Sequence, residues 1–98
     1  MHVDRLGDKV LEIAVLWCDL RDNLTLKTID KEEKAALQKR IENIVALYDS
    51  AVEQKAKYVP DVRGEINSIL YTLKRLQERN DIIISNAFKK YSHFLKNR

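Results

Sequence analysis

Arg79-Asn80-Asp81-Ile82-Ile83-Ile84-Ser85 is the stretch on which the fold turns. Asn-Asp favours a turn, three β-branched isoleucines in a row start a helix poorly, and Ser85 makes a good N-cap. The reading predicts a short extended connection here. One helix then ends near Glu78, and another runs from Asn86 to about Lys96. Upstream, Lys57-Tyr58-Val59-Pro60-Asp61 marks a second break, because the proline ring disfavours helical backbone at Val59.

Working outward, the segment between the two breaks carries Val62, Ile66, Ile69, Leu70, Leu73 and Leu76 at three- and four-residue steps. That spacing places them on one stripe of a helix spanning about 61–78. Before Pro60, Asp30 stands three residues ahead of Glu33 in the capping-box arrangement. Leu37, Ile41, Ile44, Val45, Tyr48 and Val52 then predict a helix over about 30–57. The first helix, about 3–23, shows Leu6, Val10, Ile13, Trp17, Leu20 and Leu24 on one side. Leu11, Val15 and Cys18 fall on the other side, so either the segment 24–29 folds back over them or they meet a partner. In the last helix Ile84, Phe88, Tyr91 and Leu95 are expected to point inward, and Lys89, Lys90, His93 and Lys96 outward. Short connections favour antiparallel neighbours, so the expected fold is all-α, a single-domain up-down-up-down four-helix bundle.

Composition agrees with that class. Two glycines, one proline and 34% charged residues suit long helices better than sheets. A lone cysteine forms no internal disulfide, which favours a reducing compartment. No uncharged apolar run approaches the roughly 20 residues that span a bilayer. The expected location is cytoplasmic, extending to peripheral placement at the inner face of the membrane.

Charge is unevenly placed within the net +3. Residues 1–26 hold five acids and three bases, a balance of −2, whereas residues 85–98 hold Lys89, Lys90, Lys96 and Arg98 and no acid. Four basic groups fall short of a nucleic-acid-binding domain, and the acids of the first helices would repel DNA. Such a face also serves simply as a solvated C-terminal turn that complements the helix dipole. Tyr71 lies off the apolar stripe with Arg75 one turn later, either a packed surface pair or a recognition aromatic.

Catalytic and metal-binding patterns are missing. Cys18, His2 and His93 stand apart, there is neither CxxC nor HExxH, and Gly7 and Gly64 build no phosphate loop. Arg79 lacks the histidine four to six residues later that one class of helical RNases uses. The apolar inward stripes offer no Arg/Lys pocket of the kind helical chorismate mutases need. The chain is therefore expected to be no enzyme, to need no cofactor or metal, and to act by binding.

Several quoted pieces also form a pattern. These are Asp30-Lys31-Glu32-Glu33-Lys34-Ala35-Ala36-Leu37, the exit Glu53-Gln54-Lys55-Ala56-Lys57-Tyr58 to Pro60, Ile66-Asn67-Ser68-Ile69-Leu70-Tyr71, and Asn80-Asp81-Ile82-Ile83-Ile84-Ser85. Over about residues 28–96 the chain resembles the immunity proteins of class IIa (pediocin-like) bacteriocins, of the enterocin A immunity type. The resemblance implies a cytoplasmic four-helix bundle that protects its bacterium. It would act from the inner side of the membrane, on mannose phosphotransferase components that bacteriocin has engaged. Family specificity lies in the C-terminal half, which on this chain points to Tyr71, Arg75, Lys89, Lys90, His93, Lys96 and Arg98. The alternative is a small helical adaptor or dimerising regulator that pairs weakly through Leu11, Val15 and Cys18.

Overall fold

The computed structural model describes residues 1–25 and 28–96, with side chains to His93. It is all-helical: α1 spans Val3–Arg21, α2 Lys31–Glu53 and α3 Arg63–Lys96. The three run up, down and up. Tyr48 near the end of α2 meets Gly7 near the start of α1, and Arg40 of α2 bonds Glu65 and Ser68 early in α3.

Local chemistry sets most of the boundaries. The Asp30 carboxylate accepts the Glu33 backbone N–H at 2.7 Å and starts α2, as the capping pattern predicts. At the other end α2 stops at Glu53, four residues short of the expected 57, well before Pro60 acts. Lys55 adopts φ 54°, Ala56 N–H donates to the Ala51 carbonyl, and Lys55 N–H donates to that of Val52. Those crossed bonds close a Schellman cap with lysine where glycine is usual. The connection to α3 is clasped to the N-terminus. Val59 N–H donates to Met1 C=O at 2.9 Å, Val3 N–H to Lys57 C=O at 2.9 Å, and the Met1 amine to Val59 C=O at 3.0 Å. His2 and Tyr58 meet edge to face across this clasp, 5.4 Å between ring centres.

The core matches the predicted stripes closely in α1 and in the first half of α3. Leu6, Val10, Ile13, Trp17 and Leu20 pack against Leu37, Ile41 and Ile44, and against Ile66, Ile69, Leu70, Leu73 and Leu76. Leu24, Val45, Tyr48 and Val62 are only half-buried, and Val52 is exposed while Ala51 is buried in its place. The cap explains the last exchange. Ala51 is the residue whose carbonyl closes the Schellman turn, so the chain beyond the cap returns over its side of α2.

The main correction concerns the stretch 79–85. It is not a break: α3 is one helix of 34 residues, so among the described residues three helices replace the expected four and no separate 86–96 helix folds back. Three physical terms favour continuity. No glycine or proline follows Gly64. The helical penalty of each isoleucine is only a few tenths of a kcal/mol, whereas ending and renucleating a helix forfeits several backbone hydrogen bonds. And Asn80, read from sequence as a turn former, is buried inside the fold, where its Oδ1 accepts the Thr28 hydroxyl at 3.3 Å. Its side chain is thereby taken out of competition for a turn.

With α3 continuous, the molecule is elongated, 64 × 24 × 20 Å. Asn80 sits level with the α1–α2 connection, and the helix beyond it projects as an arm of roughly 24 Å at 1.5 Å per residue. Ile84, Phe88 and Tyr91, expected in the core, are instead 55%, 69% and 61% exposed along this arm. The side chain of Leu95 lies outside the described residues.

Candidate functional site

A continuous helix aligns positions that a break would have separated. Counting 100° per residue, Tyr71, Arg75, Ile82, Lys89 and His93 fall within about 40° of one another on α3. All five are exposed, with Glu78 and Ser85 completing the row and Lys90 on its flank. Of the residues singled out from sequence, Tyr71, Arg75, Lys89 and His93 therefore share one side of one element, with Lys90 at its edge. The backbone of Lys96 continues the same row, while its side chain and Arg98 lie outside the described residues.

The row begins with a formed contact. The Arg75 guanidinium carbon lies 5.7 Å from the centre of the Tyr71 ring, and its Nη1 donates to the Tyr71 hydroxyl oxygen at 3.4 Å. The pair presents a flat, cationic aromatic surface to solvent. One turn apart on an exposed face, it costs the protein little to hold and can be offered to a partner without unfolding anything.

The second candidate, Leu11, Val15 and Cys18 on α1, is exposed as well. Of the segment expected to fold back over it, Thr28 and Ile29 are buried at the α3 side of the fold, and Leu26 and Lys27 fall outside the described residues. Beside the patch, Asp4, Asp8 and Asp49 line a shallow groove between α1 and α2 together with Gly7, Leu11, Ala14 and Tyr48. Sequence reading missed this groove, since Asp49 joins it only through the α1–α2 crossing. Tyr48 marks the crossing, because the absence of a side chain at Gly7 is what lets its ring approach.

An ion pair marks the entry of α3. Asp61 accepts from the Arg63 side chain at 2.7 to 3.2 Å and from the Arg63 backbone N–H at 3.0 Å. These hydrogen bonds, the side-chain ones first, lower the Asp61 pKa from 3.8 to about 2 and raise that of Arg63. The pair is solvent-exposed and holds the approach to the helix, as a local cap would. Among the described residues no group of three or more His, Cys, Asp or Glu is placed to hold a metal ion, and no helix is long and apolar enough to cross a membrane. Comparison with protein-family models, curated proteins and solved structures finds no match to this chain.

Proposed function

We propose that this chain is an immunity-type binding protein. It protects a bacterial cell from a pediocin-like bacteriocin by engaging the cytoplasmic side of the bacteriocin–receptor complex in the membrane. The reading is carried by one observation: α3 brings Tyr71, Arg75, Lys89 and His93 into a single exposed row, in the half of the chain where the resemblance places specificity. A basic and aromatic row suits the anionic inner surface of a membrane, where each nearby lysine or arginine contributes about 1 kcal/mol of attraction. Here the face is built on the end of one long helix rather than on a separate fourth helix.

The test is a protection assay. The chain, expressed in a sensitive lactic-acid bacterium, is challenged with a panel of pediocin-like bacteriocins. A selective rise in tolerance to one or a few is expected, and Tyr71→Ala or Lys89→Glu with Lys90→Glu should abolish it while helical content stays unchanged. Undiminished killing across the panel, with the protein soluble and expressed, overturns the reading.

A second reading is supported by the exposed Leu11, Val15 and Cys18, which suit a small helical adaptor acting through α1. Loss of partner capture on Val15→Asp, with the α3 row intact, would favour it.

A further inference from the structure

The stripe that α3 buries at Ile66, Ile69, Leu73 and Leu76 does not end at Asn80. The same three- and four-residue steps carry it through Ile84, Ala87, Phe88 and Tyr91, where neither α1 nor α2 remains to cover it. We propose that a second copy of this chain covers the stripe, the two arms packing antiparallel about a two-fold axis near Ala87 and Phe88.

Charge decides the orientation. Residues 82–96 carry Lys89, Lys90 and Lys96 and no acid. The arm springs from the end of the molecule that holds Asp19, Asp22, Asp30, Glu32, Glu33, Glu78 and Asp81 against Arg21, Lys31, Lys34 and Arg79. Seven acids against four bases leave −3 at the root, opposite +3 on the arm. Antiparallel pairing turns the tip of each basic arm back toward the other copy's acidic root, twice over. Parallel pairing would set the two basic tips side by side.

Area is sufficient for a modest affinity. Ile84, Phe88 and Tyr91 together expose on the order of 400 Å² per copy, so two stripes bury about 800 Å² before their flanks are counted. That lies below the roughly 1,200 Å² at which stable interfaces begin, so the dimer is expected to be weak and reversible. Because the interface is isologous, it closes as a dimer and leaves no unsatisfied copy to propagate a filament. The row from Tyr71 to His93 lies on the opposite side of α3 and is not covered by this pairing, so this inference does not rest on the immunity reading.

Sedimentation velocity on the full chain, from about 1 to 300 µM, tests it by mass action. A reversible monomer–dimer equilibrium is expected, weakened by added salt. Phe88→Asp, at an exposed position, should leave the circular dichroism of the monomer intact and weaken the dimer by about 30-fold or more. Val15→Asp should leave the dimer unchanged. As an independent readout, Ala87→Cys in a Cys18→Ser background should oxidise to a disulfide-linked homodimer. A monomer at every concentration overturns the proposal, whether hydrogen exchange finds residues 82–93 protected by folding back or unprotected. So does a dimer that survives Phe88→Asp and falls to Val15→Asp. Loss of bacteriocin protection alone leaves it standing.

Discussion

Replacing the polar pair Thr28 and Asn80 one residue at a time, and then together, should give strongly non-additive losses of stability. The two are 2% and 5% exposed, and the Thr28 hydroxyl donates to Asn80 Oδ1 at 3.3 Å, with no buried side-chain polar atom unpartnered among the described residues. At that length the bond is weaker than a usual O–H···O contact, so forming it contributes about 0.5–1 kcal/mol. Leaving one partner buried and unpaired costs more, about 1–2 kcal/mol. Thr28→Val, which keeps the shape, strands the Asn80 carbonyl oxygen. Asn80→Leu strands the Thr28 hydroxyl but extends the apolar stripe. Each single variant should lose about 1–2 kcal/mol, or roughly 4–16 °C in Tm for a domain of this size. The double variant removes both orphans and should return to within about 0.5 kcal/mol of the parent, a coupling of roughly 2 kcal/mol. Urea unfolding followed by circular dichroism and by fluorescence of the buried Trp17 measures all four corners of the cycle. Additive losses, or single variants within about 0.3 kcal/mol of the parent, would refute the argument that this pair anchors α3 at the root of the arm.

Three further outcomes follow from features of the fold. A Cβ at Gly7 would come within 3.0 Å of the Tyr48 ring. Gly7→Ala should therefore destabilise by about 1 kcal/mol, yet stabilise by a similar amount in a Tyr48→Ala background, where only its better helix propensity remains. Lys55 holds a positive φ at the end of α2, so Lys55→Gly should raise stability by about 1 kcal/mol and Lys55→Val lower it, both read by thermal melts. Because the folded-state pKa of Asp61 is depressed, its contribution is present above the ordinary carboxylate value of 3.8 and is lost as pH falls through about 2. The Tm difference between the parent and Asp61→Asn should accordingly shrink over that interval, and a constant difference would contradict the Asp61–Arg63 pairing.

Much of the fold was legible because its signals are local. Asp30 announces the start of α2 through its own side chain, and the apolar steps from Leu6 to Leu20 and from Ile66 to Leu76 need only helical periodicity to be read. The stretch 79–85 misled for the complementary reason. Its turn-like look rests on Asn80, and what keeps Asn80 helical is Thr28, 52 residues away in sequence. The early stop of α2 was hidden in the same way, since a lysine at positive φ carries none of the signal that glycine would. As for the site, Tyr71, Arg75, Lys89 and His93 were each visible as exposed polar or aromatic positions. That they form one row depends on helix continuity, a property of the whole of α3 rather than of any of them. Ile84, Phe88 and Tyr91 were recognised as one apolar face. Their exposure follows from where α1 and α2 end, which no local pattern in residues 82–91 records.

The anchoring of α3 by Thr28 and Asn80 has a mechanical consequence. Everything beyond that point is a stiff rod with a single pivot, so small changes at the pivot grow with distance along the rod. A tilt of about 10° at Asn80 displaces the far end, roughly 24 Å away, by about 4 Å, some three-quarters of the rise of one helical turn. A substitution buried among Thr28, Ile29 and Leu76 could thus re-aim Lys89 and His93 without touching them. Gain or loss of recognition in this chain is as much a matter of packing at the fulcrum as of the residues the tip displays.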